Sequence, residues 1–414
     1  MTPRPDRPRL PRGATTSLTA LIAASLLLAG CAAPTSPVTD GPTGDDDHGH
    51  VEGAAELDEP HPALLVLGED GALELLDLLD ESRVDLGTTA APEATWTDGR
   101  FAASLAPGRV ALVDSGRWTR PHGDHSHYYE APPRLLEAVT ASEAAAETEP
   151  PRLQSSEGRT SVLFPGSGEL VVLDRESLGQ GEIAELTRAV HPGSSAAIPV
   201  GEAVLLGDAG AGRARLLDDD GEELASEACP DPAGARLTRV GAVLGCADGA
   251  VLAVSGSDGV ELERIPFGEA GAGDPPPAAT AFASRLDRPA TAGVAGDRGA
   301  WVLDSRARTW SLVETERPLA LVAAIDDDED RVVAIDRTGR LLVLDPASGD
   351  TVSASEPLAD AAGLEGAALT VDADRAYLAL PHAGRVLELD YRDGGTVARE
   401  FEVPRGAVAL ETGR

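Results

Sequence analysis

A chain of 414 residues with 70 acidic against 34 basic side chains, and a formal charge of −36, repels polyanions and so excludes nucleic acid as a partner. Every basic side chain is arginine, and the absence of lysine removes Schiff-base chemistry and P-loop phosphate binding. Aromatic residues make up only 3%, so any core must be filled by Val, Leu, Ala and Ile.

The chain opens with Arg4, Arg7, Arg9 and Arg12, an apolar run over residues 18–28, and then Leu28-Ala29-Gly30-Cys31. This reads as a lipoprotein signal over residues 1–30, its apolar run too short to span a bilayer, with Cys31 placed to take a diacylglycerol after cleavage. The expected location is the outer face of the cell membrane, in the periplasmic or cell-wall space, with the lipid at Cys31 as the only membrane attachment. Residues 31–60 are rich in Pro, Gly, Asp and Thr without apolar period, the composition of a flexible arm. Within it, Asp45, Asp46, Asp47, His48 and His50 form a tract suited to weak, reversible metal binding, because a floppy ligand set loses conformational entropy when it closes on an ion.

From residue 61 to 414 the pattern changes to short apolar strands punctuated by Gly and Asp. One phrase recurs, first as Gly71-Ala-Leu-Glu-Leu-Leu-Asp77 and again from Gly108, Gly168, Gly212, Gly249, Gly299, Gly339 and Gly384. The repeat of about 45 residues is that of a four-stranded propeller blade. Gly permits the turn into the strand, the alternating apolar residues bury one face against the next sheet, and Asp opens the following turn. The expected fold is all-β, a single beta-propeller of seven or eight blades; helical periodicity is confined to residues 137–145. Cys229 and Cys246 are expected to form a disulfide in an oxidising compartment, worth about 3 kcal/mol by closing their loop.

The longest gap in the series separates Gly108 from Gly168, and it holds His122-Gly123-Asp124-His125-Ser126-His127-Tyr128-Tyr129. Clustered imidazoles beside a carboxylate suit zinc, where calcium or magnesium would call for oxygen ligands throughout. In an extended strand His125 and His127 share one face, which supplies half of a tetrahedral site. His122 and Asp124 follow as further ligands, or Asp124 as the carboxylate that orients an imidazole. His191, in Val-His-Pro-Gly, and His382, in Pro-His-Ala-Gly, each sit in a turn before a strand, and are expected to converge with the inserted loop over the central pore; each could instead satisfy local backbone groups. Because a protonated imidazole cannot bind metal, affinity should fall as pH drops through about 6.5.

These features together, from the Asp/His arm through His122 to Tyr129, the Cys229 and Cys246 pair with Gly245-Cys246-Ala247-Asp248-Gly249, and Pro381-His382-Ala383-Gly384-Arg385-Val386, resemble AztD, the periplasmic zinc metallochaperones that work with Azt-type ABC importers. The resemblance implies a monomeric, non-enzymatic protein that holds one tight Zn2+ in the propeller and a weaker one on the arm. It also implies delivery of zinc to the solute-binding protein of the importer. Rival readings are a propeller enzyme, either a quinone oxidoreductase or a metal-dependent lyase or hydrolase with His122 or Glu130 as base, and a protein-interaction scaffold without metal.

Overall fold

Each copy of the Gly-led phrase is the third strand of a blade, and eight copies give eight blades. The computed structural model describes residues 53–122, 125–143, 147–257, 259–268 and 277–413, all within one compact unit. The leader, Cys31, the arm residues Asp45, Asp46, Asp47, His48 and His50, residue Asp124 and the side chain of His122 lie outside the described residues.

Blade 1 joins Ala63–Leu67, Ala72–Asp77 and Arg83–Thr88 to Val408–Thr412 as its innermost strand. Blade 2 runs Ala94–Thr97, Phe101–Ala106 and Arg109–Asp114, with an outer strand split into Arg134–Leu135 and Val139–Thr140. Blades 3, 4 and 5 begin with the inner strands Arg152–Ser155, Ser194–Val200 and Ala235–Leu237, and blades 7 and 8 with Leu319–Ala324 and Ala368–Val371. Blade 6 has three regular strands, Ala290–Val294, Gly299–Asp304 and Thr309–Glu314.

The second strands are buried on both faces, not on one as the alternation suggested, and most third strands nearly so. All five residues of Ala63–Leu67 and all five of Val332–Asp336 are buried, because each blade is sandwiched between two others. Such strands read as continuous apolar runs. Outer strands such as Arg83–Thr88 are mostly exposed. The turn chemistry is as read: Gly71 and Gly339 adopt φ of 85° and 84°, where a side chain would strike the carbonyls of Thr89 and Ala359. The closing Asp accepts backbone N–H bonds, Asp304 from Arg306 at 2.8 Å and Ala307 at 3.0 Å, Asp390 from Arg392 at 3.1 Å and Asp393 at 3.2 Å.

The ring is sealed by pairing the first strand of the propeller with the last, with Ala63 opposite Thr412 and Leu67 opposite Val408. Cys229 and Cys246 are bonded, with a Cα separation of 5.0 Å, tying the exit from blade 4 to the second strand of blade 5. The insertion does not lie between blades. It leaves blade 2 after its third strand and returns before its outer strand, so the long gap is an excursion within one blade.

Truncation after Ala407 removes the sealing strand and should abolish the single cooperative denaturant transition seen by circular dichroism. The Cys229→Ala, Cys246→Ala variant should keep the fold and lose about 3 kcal/mol of unfolding free energy, read from the shift of its denaturation midpoint.

Candidate metal site

The excursion is a hairpin, Arg117–His122 and His125–Glu130, with Trp118 opposite Tyr129, Arg120 opposite His127 and His122 opposite His125. Its origin is fixed by Asp114, fully buried, which accepts from Arg100 Nε and Nη2 at 3.0 Å each and from the Gly116 amide at 3.0 Å. In blade 2 the closing Asp therefore anchors the excursion. At the base, Arg117 reaches Asp77 of blade 1 at 2.7 Å and Glu130 at 3.1 Å. Burial alone would raise the Asp77 pKa, but the Leu79 amide and the Arg117 guanidinium outweigh it and hold the carboxyl below its ordinary value. Trp118 stacks on Tyr129 with centroids 5.3 Å apart, and Arg100 lies over the Trp118 ring at 3.8 Å. The hairpin is thus rigid where it meets the ring.

A third strand completes this small sheet. Ala55–Leu57, within the segment read as arm, pairs with His125–Glu130 and sets Glu56 opposite Tyr129. Residues directly opposite in an antiparallel pair share a face, so Glu56, His125, His127 and Tyr129 stand together.

On that face the expected imidazole pair is formed. His125 Nε2 and His127 Nε2 are 3.1 Å apart, and His127 Nδ1 is 2.6 Å from Glu56 Oε1. An ionised carboxylate only accepts, so His127 donates from Nδ1 and presents the Nε2 lone pair, which in the metal-free protein accepts from His125 Nε2–H. Two ligands of one tetrahedral zinc, with Zn–N of about 2.0–2.1 Å, stand about 3.3 Å apart. The pair therefore has the spacing of two zinc ligands, and Glu56 is placed as the carboxylate that orients an imidazole ligand. Glu56 was not legible in the sequence. It lies in an unremarkable Ala-Glu-Leu stretch far from the histidines, and only the strand pairing brings it to them.

Among the described side chains, His61, His191 and His382 do not join this pair. His191 lies in the connection between blades 3 and 4, half-buried near Arg215; burial and then that guanidinium lower its pKa. His382 sits exposed in the turn Pro381–Ala383 of blade 8, with Nε2 3.6 Å from Glu365. His61 meets Glu130 at the hairpin base at 3.5 Å. The expected convergence over the pore fails for a reason of strand direction. The hairpin leaves the C-terminal end of a third strand, whereas the His382 turn precedes the N-terminal end of one, so the two stand at opposite ends of the blades. Among the described residues no group of three or more His, Cys, Asp or Glu side chains is arranged to hold a metal.

No family model matches the sequence, and no curated protein does. Among solved structures, apo AztD from Citrobacter koseri matches with a TM-score of 0.71 at 16% identity, covering 86% of this chain and 99% of that one. A second crystal structure of Citrobacter koseri AztD gives the same TM-score and identity, covering 85% and 98%. The chain has the fold of AztD. Dihydro-heme d1 dehydrogenase NirN, in complex with DHE, matches less well, with a TM-score of 0.52 at 14% identity over 86% of this chain and 76% of that one. Propellers of related shape thus include an enzyme, and function has to be argued from the site on the AztD-like scaffold.

Long-range 15N–1H spectra of the metal-free protein should show His127 in the Nδ1–H tautomer, and Glu56→Ala should remove that preference. A parent His127 ring already protonated on Nε2 would contradict the network.

Proposed function

We propose that this protein is a zinc-binding chaperone of the AztD kind, which captures Zn2+ on the hairpin and passes it by ligand exchange to the solute-binding protein of a zinc ABC importer. The observation that carries this reading is the Nε2 pair of His125 and His127 at 3.1 Å with Glu56 behind His127. His122 stands opposite His125 in the register and Asp124 is its sequence neighbour, so they are the residues we assign to complete the shell, with water as the remaining donor. His191 and His382 have no part in that shell. Nitrogen with carboxylate oxygen suits zinc as cargo.

Exposure favours handover over permanent storage. The His127 side chain keeps 20% of its surface and Glu56 57%, so an incoming ligand from a partner can reach the metal as an old one leaves. Buried structural zinc sites are closed to such exchange. In this reading the arm residues Asp45, Asp46, Asp47, His48 and His50 form a second, weaker site that feeds the hairpin, and a lipid at Cys31 keeps the monomer at the outer face of the membrane. Hydrolytic or lyase chemistry is less well supported, because Glu130, a candidate base, belongs to the opposite face of its strand and is held by Arg117 at 3.1 Å.

Calorimetry with Zn2+ should give tight binding in the parent and its loss in the His125→Ala, His127→Ala variant; equal affinity in the two would overturn the assignment. Glu56→Ala should leave the stoichiometry unchanged and weaken affinity about 10- to 100-fold.

A further inference from the structure

The strand Ala55–Leu57 is three residues long and pairs with one neighbour, His125–Glu130, at the edge of a three-stranded sheet. Ala55 and Glu56 are exposed and Leu57 is half-buried, whereas outer strands of the blades run to six or eight residues, as in Arg83–Thr88 and Gly259–Pro266. Few backbone bonds and little buried area put such a strand at the low-stability end of the fold. Its surroundings add modest ties, since Ala54 packs beside Trp118, Tyr129 and Ala131, and His61 lies 3.5 Å from Glu130. Ala55 and Leu57 bring no polar side chain. The charged contact of this strand with the hairpin is therefore Glu56 Oε1 to His127 Nδ1, at 2.6 Å.

That contact runs through one imidazole to the atom assigned to zinc. His127 donates from Nδ1 to the carboxylate, while its Nε2 faces His125 Nε2 at 3.1 Å. A cation on Nε2 draws electron density out of the ring, which strengthens Nδ1–H as a donor and places positive charge opposite Glu56. The docked carboxylate in turn makes the imidazole the better ligand, an effect worth about 10- to 100-fold in metal affinity. Coupling between two equilibria is reciprocal, so zinc must favour docking of the strand by the same factor as docking favours zinc. Removing Glu56 removes the link.

We propose that Ala55–Leu57 is a zinc-governed strap: metal on His127 locks the strand to the hairpin, and lifting the strand loosens the metal. This rests on the reading of His125 and His127 as the zinc pair. Loaded and empty protein then differ in the hold on a surface segment, which a receiving protein can distinguish by contact with that segment. A receiver that peels the strand from His125–Glu130 lowers the affinity of the donor about 10- to 100-fold without touching the ion.

Hydrogen–deuterium exchange of the full chain, read on peptides covering residues 53–60 without Zn2+ and at a saturating level fixed by calorimetry on the same sample, tests this. In the parent, zinc should slow exchange there about 10- to 100-fold, while the outer strand Arg83–Thr88 stays unchanged. Glu56→Ala should still bind zinc, with the same exchange at residues 53–60 in both states. Glu56→Gln, which keeps an oxygen acceptor without the charge, should show a smaller slowing than the parent. Unchanged exchange in a parent that binds zinc overturns the strap alone, whereas a parent that binds no zinc overturns the metal reading with it. Slowing in Glu56→Ala equal to that of the parent also overturns the strap, because the lock would then not run through Glu56.

Discussion

A strand that is apolar on both faces can be buried only between two other sheets, and that requirement shapes this molecule. With few aromatic residues, each blade relies on aliphatic side chains from both neighbours, as where Leu163, Leu170 and Val172 of blade 3 meet Ala197, Val204 and Leu206 of blade 4. A row of such blades would leave two apolar faces open at its ends. Curving the row into a ring removes them, and the pairing of Ala63–Leu67 with Val408–Thr412 locks the ring shut. Most charged side chains are thereby displaced to outer strands, turns and the excursion from blade 2, while a few polar groups such as Ser161, Glu169 and Glu388 stay buried on the blades.

The repeat was legible because the third strand is the most constrained part of a blade. Its leading Gly occupies a conformation that other residues avoid, and its closing Asp caps a tight turn, so the phrase marks each blade even where the rest drifts. Blade 6 illustrates the converse. Its phrase at Gly299 is intact, yet among the described residues its inner position holds only two isolated bridges, a difference that no local pattern announced. The two-sided burial was also hidden, because an apolar run such as Ala63–Leu67 reads the same whether one neighbour or two will cover it.

The candidate site divides in the same way. Period-two geometry was enough to put His125 and His127 on one face, since it depends only on both residues lying in one strand. Glu56 depended on a pairing between segments about 70 residues apart, which sequence alone does not fix. The convergence expected of His191 and His382 rested on equivalent turns, and it overlooked that a loop leaving a strand and a turn entering one lie at opposite ends. Strand polarity, not residue type, was the deciding variable.

The neck of the hairpin has a consequence for its independence. The Ala131 amide donates to the Gly116 carbonyl at 2.6 Å, so the excursion starts and ends at one point, and the outer strand of blade 2 resumes its pairing at Arg134 opposite Asp114. The ring closes its own hydrogen-bond ladder whether or not the hairpin is present. The histidine-bearing face is therefore a module mounted on the propeller, free to diverge in sequence and length without disturbing the blades beneath it, while those blades retain their own pattern under quite different constraints.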